Sequence, residues 1–416
     1  LLQLNPRAPG FADLRLAVVS PFVDRRHGTE RALAELLERL ARDYGCEIHL
    51  YSQRVEDLRV NEPRPEDAAK SGAIFWHKVP AIPGPHVAQF LTWVFLNGCL
   101  RSRDALFNRV SCDLVLSPGI NCLHPDAVIV HALFHRLQEL SREEQDAQAP
   151  RGNFFRRLHR RAYYALLAGL ERRTYSDARV SLAAVSRRTA GHLKEYFGRE
   201  DVCVIPNGVD TAHFSAPARL ERRVQARQRR SFQDGEFVLL LIGNDWRVKG
   251  LPAILEAIAA LPGSPLRLLV VGNDAAEPFQ AMARGLRVEQ RCLWELPQAD
   301  VLDFYAAADV YVCPSREDSF GLPVAEAMAC GLPVITSIFA GVTDCIRDGV
   351  DGFVLRDPCD ARALAELMER VRKDVELRRA VSEAGAKSIQ EWTWDRNAAA
   401  VWELLQAAHA KRRSES

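Results

Sequence analysis

The run Pro314-Ser-Arg-Glu-Asp-Ser-Phe-Gly-Leu-Pro-Val-Ala-Glu-Ala-Met-Ala-Cys-Gly-Leu-Pro-Val334 packs a strand exit, a helix and a strand entry into one short segment. It follows an apolar strand candidate, Val310–Cys313. Pro323 suits the first helical turn, where its missing N–H is no loss. Gly331 suits the helix end, and Pro333 forbids continuation. Pro333–Thr336 then reads as the next strand. The amides of Phe320, Gly321 and Leu322 fall at the helix N-terminus, where unpaired N–H groups attract anions such as phosphate. Asp318 lies just before this helix and Glu326 about one turn inside it, so the pair can face one cleft at different depths. The local pattern alone is equally compatible with a helix-terminal acid and a solvated glutamate.

Working outward, the same strand–loop–helix grammar opens two regions of the chain. Leu14–Val19 is a short apolar strand, followed by a loop through Gly28 and a helix with Leu33, Leu36, Leu37 and Leu40 on one face, ending at Gly45. Phe237–Ile242 is a second such strand, followed by a loop to Gly250 and a helix through Ile254, Leu255 and Ile258. Ile48–Tyr51, Asp113–Leu116, Asp126–Val130 and Arg179–Val185 continue the first region, and Leu266–Val271 the second. Strands alternating with helices predict parallel α/β sheets. Two openings predict two doubly wound domains, with ligands beyond the carboxyl ends of the strands. Asn207-Gly208 is a turn near the midpoint and marks the hinge. The expected division is 13–208, 209–390, and a C-terminal helix over 391–412, carrying Trp392, Trp394 and Trp402, that crosses back to the first domain.

Composition narrows the function classes. Across 416 residues, 55 basic and 54 acidic side chains nearly cancel, so overall charge gives no argument for nucleic acid. Ten cysteines form no C-x-x-C pair and have no histidine cluster beside them, which argues against a zinc site or a disulfide framework. A reducing cytoplasm is the simplest home, and no leader pattern precedes Asp13. The longest apolar stretch, Val87–Leu100, is too short to span a bilayer and reads as a core helix.

The Asp318–Pro333 segment resembles the signature of the family-four retaining glycosyltransferases, which have the two-domain GT-B fold. That signature sets two acids at the spacing kept here between Asp318 and Glu326, embedded in Ser-Phe-Gly and Glu-Ala-Met-Ala-x-Gly-x-Pro-Val. The first acid is Asp318 where Glu is usual, and Glu317 beside it leaves open which acid reaches the sugar. The resemblance implies that Glu326 holds the ribose hydroxyls of a nucleotide, that Asp318 meets the donor sugar, and that the amides of Phe320, Gly321 and Leu322 meet sugar and phosphate. In Gly243-Asn-Asp-Trp-Arg-Val-Lys-Gly250, it implies that Lys249 clamps the departing diphosphate, with Arg247 as candidate second cation because Asn244 replaces the usual Arg. Fixed cations there replace a metal ion. Gly28, in His27-Gly-Thr-Glu-Arg31, would let the backbone approach the donor. His131, at a strand end, would lie near the reaction centre, with His135 as competitor. Val270-Val-Gly-Asn273 and Leu296 fall where the base is bound. These matches run from about Leu14 to Trp402.

The implied activity is transfer of a sugar from a UDP- or GDP-linked donor to a hydroxyl of a glycan or lipid-linked acceptor, with retained configuration and without metal or other cofactor. A nucleotide-sugar epimerase on the same architecture is one rival. A catalytically weakened membrane-associated scaffold is another, kept alive by Asp318 and by His27 where a second glycine is usual. Arg151–Arg173 is basic and amphipathic. It reads either as a helix on an anionic membrane or as one packed on its domain with a solvated charged face. The resemblance favours the membrane, at the inner face. Arg219–Arg230 reads as a solvated surface helix.

Overall fold

The protein is described by a computed structural model covering residues 14–61, 72–107, 110–147, 154–298 and 300–415, without the side chains of 141–147, 154–161 and 415. The strands in chain order are β1 (Arg15–Val19), β2 (Phe22–Val23), β3 (Glu47–Ser52), β4 (Arg54–Val55), β5 (Ile74–Lys78), β6 (Leu114–Ser117), β7 (Ala127–Val130), β8 (Ser181–Ala184), β9 (Cys203–Val204), β10 (Phe237–Ile242), β11 (Leu266–Val271), β12 (Cys292–Glu295), β13 (Val310–Val312), β14 (Val334–Ser337) and β15 (Phe353–Leu355). The helices are α1 (Gly28–Tyr44), α2 (His86–Phe107), α3 (Phe134–Ala147), α4 (Phe154–Tyr175), α5 (Arg187–Phe197), α6 (Ala216–Arg229), α7 (Leu251–Ala259), α8 (Glu277–Gly285), α9 (Leu302–Ala307), α10 (Leu322–Ala329), α11 (Ala361–Lys373), α12 (Val375–Ser388) and α13 (Trp394–Glu415). They form two compact units: Leu1–Pro206 with Trp394–Ser416, and Asn207–Thr393.

The first unit is built on a sheet of order β5-β3-β1-β6-β7-β8-β9. Every pairing in it is parallel. The central strands are buried on both faces, which is why β1 and β7 read as continuous apolar runs. The order reverses between β1 and β6. Helix α1 buries Leu33, Leu36, Leu37 and Leu40, and ends where Gly45 takes φ 68° and returns its N–H to the Leu40 carbonyl. Helix α13 belongs to this unit: Arg39 pairs with Asp395 at 2.6 Å, Trp402 packs on Tyr44, and Arg412 bonds Asp126 at 2.9 Å.

A buried polar chain crosses the β3–β5 edge. His49 Nε2 lies 2.9 Å from Glu47 Oε1, and His49 Nδ1 lies 2.8 Å from His77 Nε2. His77 Nδ1 lies 2.8 Å from Asp104 Oδ2 on α2. Burial pushes both rings below the usual imidazole range, His77 to about 4.

Two expectations change here. Helix α2 is not a core helix all round: it buries Trp93, Val94, Asn97 and Asp104 but leaves Phe95 67% exposed and Phe107 78% exposed. Only one face meets the sheet, so the apolar run was longer than the core needed. In the basic stretch Arg151–Arg173, the charged face expected to meet a membrane is formed by Arg156, Arg157, Arg160 and Arg161, whose side chains lie outside the described residues. The later turns of α4 point Leu167, Glu171 and Tyr175 into the first unit.

The second unit carries a parallel sheet of order β12-β11-β10-β13-β14-β15. Its order reverses between β10 and β13. Helix α6 corrects the solvated reading of Arg219–Arg230. Arg223 and Arg227 reach Asp309, Arg222 reaches Asp300, Arg230 reaches Glu295 at 2.8 Å, and Arg219 donates to the Cys330 carbonyl at 2.7 Å. Arg223 and Arg227 also donate to carbonyls ending α9, where cations are favoured. Long apolar stems let these guanidiniums serve as packing surface, so a basic run became an inward face.

Candidate functional site

Open α/β sheets bind ligands beyond the strand carboxyl ends where strand order reverses. In the second unit that point lies between the loop leaving β10, Gly243–Gly250, and the loop leaving β13, Pro314–Gly321. Gly250 has φ 85°, and a Cβ there would stand 2.2 Å from the Pro314 carbonyl oxygen, so only glycine lets the loops touch. Arg316 N–H donates to the Val248 carbonyl at 2.7 Å. The first loop is also tied to the turn after β11. Asp274 accepts the amides of Asp245 at 3.0 Å and Trp246 at 2.6 Å, and Asn244 Oδ1 accepts the Asn273 amide at 2.9 Å. Gly272 lies beneath this contact, where a Cβ would meet the Gly243 carbonyl at 2.3 Å and Trp246 Nε1 at 2.6 Å.

These ties aim Lys249 at the second loop. Its Nζ lies 2.5 Å from Asp318 Oδ2, and both side chains are largely but not wholly covered. Burial opposes the ammonium charge, but the carboxylate of Asp318 outweighs it and holds Lys249 above its ordinary pKa. Asp318 is fixed from the other side by its amide on the Phe339 carbonyl at 3.0 Å and its carbonyl on the Gly341 amide at 2.8 Å. Gly321, at φ 95°, then opens α10, with Leu322 as the first helical residue and Phe320 buried just before. Glu326 is 3% exposed, and the Tyr305 hydroxyl donates to its Oε2 at 2.7 Å.

The other candidates are placed less centrally. Arg247 puts its guanidinium 5.8 Å over the Phe279 ring of α8, whereas Lys249 turns to Asp318. Leu296 follows β12 and is 71% exposed. In the first unit, Gly28 opens α1 with φ outside the left-handed region, so the backbone there does not demand glycine's conformation. His27 precedes it as N-cap residue, its Nδ1 2.9 Å from Asp24 Oδ2. His131 ends β7, half-buried, and burial pushes its imidazole down to about 4, leaving a neutral ring. His135 is drawn away by a structural duty: its Nδ1 lies 2.6 Å from Glu171, which also accepts the Phe134 and His135 amides at the start of α3.

A cation against a carboxylate, beside a helix N-terminus and a buried glutamate, suits an anionic leaving group flanked by hydroxyls. Sequence families agree with that chemistry: "Glycosyltransferase Family 4" matches residues 26–213 and "Glycosyl transferases group 1" matches residues 223–388. The chain belongs to the group 1 glycosyltransferases. This group 1 chain is 32% identical over 249 residues to a D-inositol 3-phosphate glycosyltransferase of Xylanimonas cellulosilytica, covering 57% of itself and 58% of the relative. It is 29% identical over 227 residues to the lipopolysaccharide glucosyltransferase WaaG of Escherichia coli, covering 53% of itself and 60% of that chain. It thus spans a little over half the length of these curated relatives. The crystal structure of WaaG aligns at TM-score 0.75 with 20% identity, over 93% of this chain and 99% of that one. Anabaena HepE with UDP-glucose aligns at 0.68 with 17% identity, over 95% and 99%. The fold is GT-B.

Sequence reasoning on the group 1 motifs missed two polar groups of this site. Asp274 lies one residue beyond the Val270-Val-Gly-Asn273 match, where an acid reads as loop solvation. Tyr305 sits in the apolar helix α9, where an aromatic reads as core. The acid motif beyond β13 was the signal for Tyr305, because a buried Glu326 demands a donor.

Proposed function

We propose that this chain transfers a sugar from a nucleoside-diphosphate sugar, UDP- or GDP-linked, to an acceptor hydroxyl with retained anomeric configuration. The observation that carries the reading is the Lys249–Asp318 ion pair at the strand-order reversal, 2.5 Å between charged atoms. Lys249 stabilises charge growing on the departing diphosphate, together with the amides of Phe320, Gly321 and Leu322 at the start of α10. Asp318 exchanges its lysine contact for donor sugar hydroxyls when the diphosphate arrives. Glu326 accepts from the ribose pair, since two adjacent hydroxyls can donate to one carboxylate. Gly243 leaves room for the nucleotide backbone, Gly272 lets the loop after β10 close over the end of β11 to shape that edge, and Leu296 offers an apolar edge near the base. In the first unit, neutral His131 and the Gly28 turn serve the donor sugar and acceptor. The attacking hydroxyl approaches on the leaving-group face, and the leaving phosphate takes its proton. No side chain need act as nucleophile, and the charge stabilisation comes from protein groups rather than a metal.

The acceptor class is a glycan or lipid-linked sugar at the cytoplasmic face of a membrane, reached through 151–173. The basic composition of that stretch and the names of the relatives support this. No helix among the described residues is long and apolar enough to cross a membrane. Co-sedimentation with anionic liposomes that survives reversal of Arg156, Arg157, Arg160 and Arg161 would remove the contact.

Thermal stabilisation by UDP, GDP and ADP in EDTA tests the donor site. A ligand that binds only the folded state raises stability with the logarithm of its concentration over Kd. One nucleotide should stabilise selectively, and donor-dependent product should form in the same buffer. A folded sample indifferent to all three would end the reading.

A further inference from the structure

Tyr305 is completely buried on α9, and its hydroxyl has two acceptors in reach: Glu326 Oε2 at 2.7 Å and the Pro323 carbonyl at 3.2 Å. Burial first, and then the charge of Glu326, push the phenol well above its usual pKa, so the hydroxyl keeps its proton and acts as a donor. A single proton goes to the nearer and charged acceptor, the stronger bond of the two. The ring itself cannot drift. Phe214 packs on it edge-on at 5.8 Å and 86°, and Tyr311 lies 6.2 Å away.

Glu326 stands on α10 behind Pro323, itself 3% exposed. A carboxylate in such surroundings has little water to orient it, and its terminal torsion is broad unless a bond sets it. The Tyr305 bond sets the carboxylate plane. Glu326 shares α10 with the N-terminal turn whose amides are expected to meet phosphate, so fixing its carboxylate fixes it relative to them. Ribose and phosphate contacts are thereby held in one frame across one helix. Such preorganisation matters because vicinal hydroxyls need both acceptor directions aligned together.

We propose that Tyr305 is a positioning residue for nucleotide recognition: it orients Glu326 toward a ribose diol and so selects ribonucleotide over deoxynucleotide donors. The inference rests on the reading above that Glu326 binds the ribose. The probes are whichever of UDP, GDP and ADP stabilises the wild type best, and its 2′,3′-dideoxy form. In Tyr305→Phe, affinity for the ribonucleotide falls about tenfold, in line with loss of one bond to a charged group. Affinity for the dideoxy form is unchanged, and the melting midpoint stays within a few degrees. Equal losses for both nucleotides would mean general loosening of the pocket and would overturn the proposal. So would wild-type ribonucleotide affinity in Tyr305→Phe when Glu326→Gln has lost it. Wild-type affinity in Glu326→Gln would instead remove the ribose reading itself. Should Tyr305→Phe fail to fold, Phe214→Leu frees the ring while keeping the hydroxyl. It should then show a smaller loss confined to the ribonucleotide, and no such selectivity would overturn the proposal.

Discussion

At the residue scale, the proposed chemistry rests on Lys249, Asp318 and Glu326, and the resemblance of their motifs singled out all three. Their legibility has a physical source. Each sits within three residues of a glycine or proline that a strand–loop–helix turn requires, so the motif is punctuated as well as charged. Arg247 shares the Gly250 loop with Lys249, but its guanidinium lies over Phe279. Tyr305 was illegible because nothing local distinguishes a hydrogen-bonding aromatic from a packed one. Replacing Lys249 with alanine removes a fixed cation aimed at the leaving group, and such groups are worth about 10²–10³-fold in turnover. The ion pair it leaves is partly covered, so the melting midpoint should move by no more than about 4 °C. Turnover at the wild-type rate in a folded Lys249→Ala sample would take Lys249 out of the site.

At the element scale, the strands read from sequence were the interior ones. β1, β3, β6, β7 and β8 in the first unit and β10, β11, β13 and β14 in the second are apolar runs, because neighbours cover both their edges and helices their faces. The strands that escaped notice are the short pair β2 and β4, and β5, β9, β12 and β15, which end the two larger sheets. An end strand needs less apolar surface, so β5 can hold His77 and Lys78, and β12 can end on Glu295. β5 also sets up a pH dependence. His77 in the β3–β5–α2 chain and His131 at the end of β7 are both held to about 4 by burial. Below the ordinary imidazole value near 6.5, the unfolded chain takes up protons that the folded chain refuses. Stability is therefore unaffected above that value, falls as pH drops toward 4, and levels off beneath it. Each histidine contributes at most about 1.4 kcal/mol per pH unit in that window. Urea midpoints measured from pH 7 to 4 should decline, less steeply in His131→Asn. Constant midpoints across the window would contradict the burial of these rings.

At the scale of the whole molecule, both units use the same strand order about a reversal point, and both present their loops at strand carboxyl ends. The doubling was legible from two strand–loop–helix openings. The inward role of α6 was not, because a run of arginines announces charge without announcing the aspartates that Asp300, Asp303 and Asp309 bring from elsewhere. The units differ in one respect. The second is a single continuous stretch, Asn207–Thr393, whereas the first is closed by α13, which follows the second in the chain. During synthesis the earlier half of the chain must therefore wait. β1 through β9 emerge before the second unit, yet the helix that covers Tyr44 and bonds Asp126 arrives only after that entire unit has had time to fold. Nascent chains stalled before Trp394 should show protease resistance in the later half and sensitivity in the earlier one; resistance of both would mean that α13 decorates a unit already complete. In the expected outcome, the order of folding runs opposite to the order of synthesis.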